Sequence, residues 1–579
     1  MQHFDRIYAL PDQQLSAFLD MDAIIAIALN EKADAIHPGY GFLSENPVFA
    51  QKVVDAGLIW IGPSASVIDQ LGNKEQAKAI AKQCQIPVLD HIYEATENDS
   101  LFLKNITTMP FPLIVKPLMG GGGKGMQILF DDTDLIAKLE ESRMIAKHAF
   151  GDGRLMAERY IENPKHIEIQ VLRDAHGHAY ALGERDCTVQ RRHQKIIEES
   201  PSVAINDLQR KAIADDALKM IHHVGYVNIG TVEFLLDEQG QHYFMEVNTR
   251  LQVEHVVTEM VFDVDLVACQ IQIAQDEVIE LENLQPQGHA IEVRLYAESP
   301  DRDFLPSSGI VSHVTLPPET KTTRVDHNIM VGQHITSMFD PLLLKLTVWG
   351  ENRDEAIADL LSALEQLQLV GVMTNHSFIA WTLEHPDFDQ HKHHTQWVKK
   401  VLPTYLKQRQ QNLGEALAIW QYEKWLCNQS TWEQDPWNQY DATYTFPLDQ
   451  LMWNQKKVEN IAFEKYDKSW VSPYRLYQLG CATWIFFAQH WYVLTEKDLS
   501  LGSQTNVSDN TLQAPMTGTV VKIHVKQGDR VHKDQILIEM EAMKMQYKLA
   551  SPADGIVDVF HCTENQVVNQ DQILVEVSI

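Results

Sequence analysis

The sequence predicts a multidomain α/β (α+β) protein that closes in a small all-β unit. Three observations carry this. Strand-like and helix-like runs alternate over the first 400 residues or so, the pattern of sheets covered by helices. A tryptophan-crowded stretch then breaks the alternation. The C-terminal stretch repeats itself at a fixed offset of 37 residues, which calls for two similar half-sheets. At ~150 residues per domain, a chain of 579 residues holds about four domains.

Over 1–72, Asp22 to Asn30 reads as helix, Ala33 to Ile36 as a short buried strand and Leu58 to Ile61 as another, so a parallel sheet is expected. The loop His37-Pro-Gly-Tyr-Gly41 falls at a strand end, where α/β sheets bind ligands. A second block, 73–270, holds strand-like runs at Leu113 to Lys116, Met126 to Phe130, Ile167 to Leu172 and Thr231 to Leu236. A third, 285–400, mixes strands with a helix over Arg353 to Leu367. Residues 401–498, with Trp397 at the boundary, hold nine of the 12 tryptophans; they read as a helix followed by short aromatic strands, that is, a helix plus a small antiparallel barrel. The polar tract within 499–512 reads as a linker, and 513–579 is the repeat.

A hydrophobic fraction of 45% and a charged fraction of 22% are ordinary for a globular protein. The formal net charge of −31 argues against a nucleic-acid binder, which needs a basic face. No run of ~18 apolar residues is present, and MQHFDRIYAL lacks a signal-peptide core; no membrane partner is expected. The six cysteines form no C-x-x-C pair, so neither zinc nor a disulfide framework is indicated, and a cytoplasmic location is expected.

The repeat aligns without a gap. Ala514-Pro-Met-Thr-Gly518 matches Ser551-Pro-Ala-Asp-Gly555, Val520 matches Val557, Val531 matches Val568, Asp534 to Leu537 match Asp571 to Leu574, and Glu539 matches Glu576. Between the halves, Glu541-Ala-Met-Lys-Met-Gln-Tyr547 places Lys544 at a hairpin tip. Ala542-Met543-Lys544-Met545 is similar to the biotinylation motif of biotin carboxyl carrier domains, whereas lipoyl carriers of the same fold usually show Asp-Lys-Ala. The resemblance implies a flattened β-barrel with biotin covalently on Lys544.

Two further segments carry chemistry. Phe111-Pro-Leu-Ile-Val-Lys116-Pro leads into Gly120-Gly121-Gly122-Gly123-Lys-Gly125. Glycine-rich loops let backbone N–H groups approach phosphates, and this one joins two strands, as a flap would; a plain loop remains the alternative. Next, Gly230 to Leu236 and Tyr243 to Asn248 flank Asp237-Glu-Gln-Gly240. A turn centred on Gln239 and Gly240 sets Glu233 opposite Glu246. Facing like charges are unfavourable unless a divalent cation joins them or both reach solvent.

Together these segments resemble an ATP-grasp domain, and 153–260 resemble the biotin carboxylase family almost continuously: Ala157-Glu158-Arg-Tyr-Ile161, His166-Ile-Glu-Ile-Gln170, Glu184 to Lys195, and Glu246-Val-Asn248-Thr-Arg250-Leu-Gln252-Val253-Glu254-His255. The resemblance implies the architecture: an N-terminal α/β layer, partial here, an ATP-grasp domain, a carboxylase C-terminal domain, the subunit-contact domain and the biotinyl domain. It also implies roles. Lys74 and Lys116 would hold phosphates together with Gly121, Gly122 and Gly123; Glu158 to Ile161 would line adenine, largely through backbone groups; His166, Gln190 and His193 would lie near the nucleotide. Glu233, Glu246 and Asn248 would bind Mg2+ or Mn2+. Lys195, Arg250, Gln252 and Val253 would hold bicarbonate, Glu254 would act as the base, and Arg324 would sit beside the biotin ureido oxygen. These residue types suit a ligase that activates bicarbonate with the γ-phosphate of ATP, because cations are needed where phosphoryl charge develops.

The pattern departs from the family in places. Members usually begin with a further strand, glycine turn and helix, so an incomplete first layer with an exposed edge is expected, from a misplaced start or a true truncation. Val256 stands where proline is usual, and Phe339 where a tyrosine usually precedes Asp-Pro. No carboxyltransferase domain fits the length, so the resemblance implies a separate carboxyltransferase beta subunit held by the Trp-rich stretch in a hetero-oligomer, and a biotin protein ligase as modifying partner. The acyl-CoA, met through the beta subunit, would be 3-methylcrotonyl-CoA, of leucine degradation, by the look of Ala146 to Asp152 and Ala514 to Thr519; Met545-Gln546 resembles the propionyl branch instead, and acetyl-CoA remains open. Two alternatives stand: the biotin subunit of a two-subunit pyruvate carboxylase, or a biotinylated carrier whose carboxylase half is inactive.

Overall fold

The computed structural model describes residues 5–10, 15–119, 125–281, 285–336, 339–432, 451–453, 456–457, 474–496, 510–542, 545–569 and 572–578. The chain begins with α1 (Met21–Asn30), β1 (Ala35–Ile36), α2 (Pro47–Asp55), β2 (Ile59–Trp60) and α3 (Ala65–Gly72). β1 and β2 pair in parallel, Ala35 with Ile59 and Ile36 with Trp60. α2 starts where it does because the Asn46 side chain accepts from the Phe49 N–H and Pro47 presets the first turn. Ile25, Phe49, Val53, Trp60 and Ile68 form the core of this layer. One expectation is corrected: Ala35 and Ile36 are half-buried rather than buried, because in a two-stranded sheet both strands are edges.

α4 (Lys74–Gln83) follows at once. Asn73 ends α3 and caps α4, accepting from the N–H groups of Glu75 and Gln76. A second body contains β3 (His91–Tyr93), α5 (Ser100–Ile106), β4 (Leu113–Pro117), β5 (Gln127–Leu129), α6 (Leu135–Phe150) and β6 (Leu155–Arg159). Its sheet runs in the order β3-β6-β4-β5, and Phe102, Ile106, Leu139 and Ala146 from the helices pack on Leu113, Val115, Leu129 and Leu155 from the strands. The glycine-rich segment connects β4 to β5; residues 120–124, with Gly121, Gly122 and Gly123, lie outside the described residues.

The largest sheet follows. Its strands include β7 (Lys165–Arg173), β8 (Ala179–Arg191), β9 (Gln194–Ser200), β10 (Asn228–Leu236), β11 (His242–Asn248) and β12 (His289–Tyr296), with α7 (Asp207–His223), α8 (His255–Phe262) and α9 (Leu266–Ala274) between them in the chain. Eight strands run in the order β11-β10-β7-β8-β9-β12, then Leu342–Gly350 and Thr323–His327. The sheet therefore continues across the interval 270–285: β12 pairs with β9, Ala290 opposite Ser200. β13 (Glu298–Ser299) and β14 (Leu305–Pro306) pair as a separate two-stranded sheet, and the helix Arg353–Gln366 packs against the C-terminal part of the large sheet.

Period-2 alternation assigns the faces. In β7, Ile167, Ile169 and Val171 enter the core with Val232 and Phe234 of β10; His166, Glu168 and Gln170 stand on the other face. The β10–β11 hairpin sets Glu233 opposite Glu246 as expected, by a different route. Leu236 pairs with His242 and Phe234 with Phe244, so the turn centres on Gln239 alone, and a bulge at Met245 restores the Glu pairing.

The Trp-rich stretch is a helix, Trp397–Trp432, against an antiparallel sheet of Lys456–Lys457, Leu451–Trp453, His490–Glu496, Ala482–Phe487 and Tyr474–Leu479 in that order. Leu413, Leu417 and Trp420 pack on Ile485, Phe487 and Tyr492. No helix among the described residues is long and apolar enough to cross a membrane.

The carrier is two four-stranded sheets. One is ordered Thr511–Gln513, Ile573–Ser578, Gly555–Phe560, Arg530–Val531; the other Met545–Ala550, Ile536–Ala542, Gly518–Ile523, Val567–Val568. Moving each strand by 37 residues turns one order into the other, as the repeat requires. Val520, Val531, Leu537 and their partners Val557, Val568, Leu574 fill one core. Residues 543–544, with Lys544, connect Ile536–Ala542 to Met545–Ala550 and lie outside the described residues; Ala542 pairs with Met545 on either side of them.

Candidate functional site

Four successive strands carry one row of charge. Glu246, Glu233, Glu168 and Arg185 stand opposite one another on β11, β10, β7 and β8. Three facing carboxylates repel, and the structure answers with cations. The Arg185 Nε donates to Glu168 Oε1 at 2.6 Å, and the Lys195 Nζ donates to Glu168 Oε2 at 2.5 Å and to Glu233 Oε1 at 3.2 Å. Lys195 comes from β9, so the row is closed by a strand that β8 turns back into place.

Lys195 also donates to Glu254 Oε1, and the Arg294 Nη2 donates to Glu254 Oε2 at 2.8 Å. Burial alone would push the Glu254 carboxyl up; Lys195, Arg294 and Arg185 outweigh it and hold Glu254 well below the usual carboxylate range. It is an anion at the entrance of α8. Gln252 donates to Glu233 Oε1 at 2.9 Å. Arg250 faces Glu45 at 3.2 Å and the Asn248 Oδ1 at 3.3 Å, and Val253 offers its carbonyl to the Lys345 Nζ at 2.6 Å. Lys195 thus contacts Gln252 and Glu254 directly, while Arg250 and Val253 flank them in the chain and bond to other partners. Arg324 sits on the neighbouring strand Thr323–His327, bonded to Glu259 at 2.8 Å and Asp326 at 3.1 Å.

At the other end, Lys78 and Lys116 converge on the buried Glu158, the Lys116 contact at 2.6 Å. Burial would raise the Glu158 carboxyl, and the two lysines instead lower it to about 2. Two ammonium groups share one carboxylate, and Lys74 lies one turn before Lys78 on α4, so this corner has a surplus of positive charge suited to phosphates. Burial lowers the Lys74 ammonium and Glu246 pulls it back up. Glu158 thus offers the site its backbone on β6, its side chain being committed to the lysines; Ile161 follows β6, half-buried. His166 joins Glu233 Oε2 at 2.9 Å and the Gln190 Nε2 at 3.2 Å. Glu233 outweighs burial and raises the imidazole above its usual range. His193 is exposed at the β8–β9 turn with φ 67°.

Glu233, Glu246 and Asn248 carry oxygens of the kind a divalent cation takes, although Lys195, Gln252 and Asn248 already donate to Glu233 Oε1 and would have to yield it. Burial and the facing Glu233 push Glu246 up, with Lys74 and Lys116 opposing, so this end of the row keeps negative charge that a dication neutralises. Asn248 adds its amide, 2.7 Å from Glu233 Oε1. His166, Glu168 and Glu233 also offer ligand atoms within 4.8 Å of one another, but the Lys195 ammonium already lies between the two carboxylates.

Sequence reasoning missed four residues with direct contacts here. Lys78 was visible as the i+4 neighbour of Lys74. Glu168 and Arg185 stood inside recognised motifs without a role. Arg294, which holds both Glu198 and Glu254, had no local signal beyond alternation in Ile291-Glu-Val-Arg-Leu. Burial pushes Glu198 up to about 8, Arg294 opposing, with Glu292 and Glu254 adding to the rise.

Comparison with known proteins covers most of the chain. Residues 1–68 match the family described as biotin carboxylase, N-terminal domain, 73–282 the carbamoyl-phosphate synthase L chain ATP binding domain, 292–400 the biotin carboxylase C-terminal domain, and 510–577 the biotin-requiring enzyme family. The chain is 34% identical over 600 residues to the mitochondrial methylcrotonoyl-CoA carboxylase subunit alpha of Rattus norvegicus, covering 94% of this chain and 83% of that one. It is 35% identical over 538 residues to the biotin-dependent acyl-coenzyme A carboxylase alpha3 subunit of Mycobacterium leprae, covering 92% and 84%. Among solved structures, the biotin carboxylase domain of Hydrogenobacter thermophilus 2-oxoglutarate carboxylase, in complex with MgADP, ADP and bicarbonate, superposes with a TM-score of 0.67 at 38% identity, covering 69% of this chain and 88% of that one. Biotin carboxylase from Campylobacter jejuni in a β,γ-ATP complex gives 0.64 at 36%, covering 67% and 87%.

Proposed function

The chain belongs to the family of biotin-containing alpha subunits of acyl-CoA carboxylases, and we propose that it spends ATP and bicarbonate to carboxylate a biotin attached to its own Lys544. The observation that carries this reading is Lys195, held between Glu168, Glu233 and Glu254 in the same chain as a carrier domain. A carboxyltransferase beta subunit, engaged through the helix and sheet of 397–496, completes the hetero-oligomer, and a biotin protein ligase modifies Lys544. The acyl-CoA is of the 3-methylcrotonyl type, a choice supported by the rat relative's match along 94% of the chain. The cytoplasm suits Cys84, Cys187, Cys269, Cys481 and Cys562, which are free thiols.

The residues divide the work by charge. Lys74, Lys78 and Lys116 hold the phosphates, whose added negative charge matches the lysine surplus left by Glu158. Glu158 to Ile161 line the adenine, and Gly121, Gly122 and Gly123, outside the described residues, would offer backbone N–H groups to the phosphates. His166, Gln190 and His193 border the nucleotide. Glu233, Glu246 and Asn248 would hold Mg2+ or Mn2+, which would supply positive charge against the phosphates. Lys195, Arg250, Gln252 and the Val253 backbone hold bicarbonate. Once Lys195 turns to that anion, Glu254 loses a cationic partner, its pKa climbs, and it becomes a competent base for the bicarbonate proton. Bicarbonate oxygen attacks the γ-phosphorus, ADP leaves, and carboxyphosphate forms. Cleavage of carboxyphosphate to CO2 and inorganic phosphate would supply the carboxyl carbon, the phosphate taking the N–H proton of the ureido nitrogen that biotin would supply as acceptor, and Arg324 would hold the negative charge that develops beside it.

The test is bicarbonate-dependent ATP hydrolysis by the purified chain, with and without free biotin. Stimulation by biotin is expected. Hydrolysis indifferent to both bicarbonate and biotin, in protein still biotinylated at Lys544, would replace this reading with a passive carrier.

A further inference from the structure

Two carboxylates beside the charged row have no step in the chemistry above. Glu292 of β12 stands directly opposite Glu198 of β9 in the antiparallel register, so their Cβ atoms are about 4.5–5.5 Å apart on one face of the sheet. Both side chains are fully buried. Glu198 Oε2 and Glu292 Oε1 have no hydrogen-bond partner among the described residues. The other oxygen of each is used: Glu198 Oε1 accepts from the Arg294 Nε at 2.5 Å, and Glu292 Oε2 accepts from the Thr347 hydroxyl at 2.8 Å.

Two facing buried carboxylates do not both stay ionised unless cations serve them, and the cations here are already divided. Lys195 serves Glu168, Glu233 and Glu254. Arg294 serves Glu254 as well as Glu198. Lys345 lies 3.6 Å from Glu292 and 3.5 Å from Asp326, and donates to the Val253 carbonyl. Arg185 is bonded to Glu168, and Arg324 to Glu259 and Asp326. The other titratable neighbours are neutral: burial pushes the Cys187 thiol of β8 and the Tyr296 hydroxyl of β12 up, and the His255 imidazole of α8 down to about 3. A protonated carboxyl settles the arrangement, because it donates where an ionised one only accepts.

We infer that Glu198 and Glu292 share one proton in the working enzyme and act together as positioning residues for Arg294. The inference rests on reading Glu254 as the base beside bicarbonate. With the proton in place the pair bears a single negative charge, and Arg294 keeps its own charge for Glu254. Burial pushes Glu198 up to about 8 against Arg294, and the facing Glu292 adds to the rise; burial raises Glu292 as well, against Lys345 and Arg294. Groups coupled this closely release the proton as a unit. Once it is gone, a second buried anion draws Arg294 from Glu254 and repels the bicarbonate held by Lys195 and Arg250, so the KM for bicarbonate rises on the alkaline side.

The experiment compares the biotinylated full chain with the near-isosteric variants Glu198→Gln and Glu292→Gln. Infrared difference spectra at neutral pH should show one carboxylic-acid C=O band in the unaltered chain that both variants lack, although each variant keeps one of the two carboxylates. A band retained in either variant overturns the shared proton. The second readout is kcat/KM for bicarbonate against pH, whose limbs report groups of the free enzyme. Glu198→Gln, neutral at any pH, should carry the alkaline limb upward. Glu292→Gln removes the facing charge and offers Glu198 an N–H donor, so it should carry the limb downward and lower kcat/KM at neutral pH by about tenfold for each unit moved. Limbs that move the same way, or stay in place, overturn the positioning role. An unaltered chain whose ATP hydrolysis ignores bicarbonate overturns the reading of the site and the positioning role with it, while the infrared band still decides the shared proton.

Discussion

In the carboxylase half a carboxylate finds its partner far along the chain: Glu158 meets Lys78 across 80 residues, Glu254 meets Arg294 across 40 and Lys195 across 59. In the carrier every strand finds its equivalent 37 residues on. The two regions teach different things about redundancy. Each charge in the row has its own place, so each substitution should be felt alone. The carrier's halves are interchangeable except where Ile536–Ala542 passes into Met545–Ala550; 37 residues before Lys544 stands Val507, in the linker. The symmetry singles out Lys544 as the position where the repeat has no counterpart.

The largest expected effect follows from that asymmetry. Lys544→Arg should abolish acyl-CoA carboxylation in the presence of the beta subunit, while bicarbonate-dependent ATP turnover with free biotin continues at the unaltered rate. Loss of both activities would show that carrier and carboxylase are not the separable regions the comparison supposes. Next comes the base. Glu254→Gln should lower free-biotin turnover by about 10³-fold, within the range of general-base catalysis, with Lys544 still biotinylated. Turnover within tenfold of the unaltered chain would remove Glu254 from that role.

Arg294 sharpens the contrast, being specific to the sheet and silent in the sequence. Its guanidinium helps hold Glu254 low, and the reaction needs Glu254 ionised. Arg294→Gln removes that influence, so the Glu254 pKa rises and the acidic limb of the kcat/KM profile moves to higher pH. Arg294→Lys keeps the charge and loses the fork between Glu198 and Glu254; it should restore the limb and cost about tenfold in rate. A profile that does not move in the Gln variant would make Arg294 a merely structural residue.

These cases show what was legible. The hairpin pairing of Glu233 with Glu246 followed from local spacing, although the turn is centred one half-step earlier and a bulge at Met245 takes up the difference. Motif resemblance found Lys195 and Glu254 because those residues are short-range neighbours of recognisable runs. The row Glu246-Glu233-Glu168-Arg185 was not legible, since it depends on β7 lying between β10 and β8, a choice made by strand pairing and not by any local pattern. Arg294 belongs to the same class: its role exists only because β12 continues the sheet beside β9. Lys78 is different, for its spacing from Lys74 was in plain view and only its partner Glu158 was out of reach. The carrier was legible throughout because its pairing rule is written twice.

The smallest effect tests the carrier's equivalence. Val531 and Val568 occupy matching positions, fully buried in one core. Val531→Ala and Val568→Ala should each cost roughly 1–3 kcal/mol of carrier stability, from lost burial and the cavity left behind, and the two costs should agree to about 0.5 kcal/mol, the level at which independent sites behave additively. Hydrogen-exchange protection of Gly518–Ile523 and Gly555–Phe560 in the full chain measures both. The two halves do differ outside the core. Ala542, Tyr547 and Leu549, all in the sheet of Met545–Ala550, reach Leu305, so carboxylase contact supports one sheet more than the other. Val568 lies in that supported sheet and Val531 in its partner. If the seat on β14 contributes to carrier stability, Val568→Ala will be buffered and Val531→Ala will not; equal costs would mean that the carrier's own core, and not its seat, sets its stability.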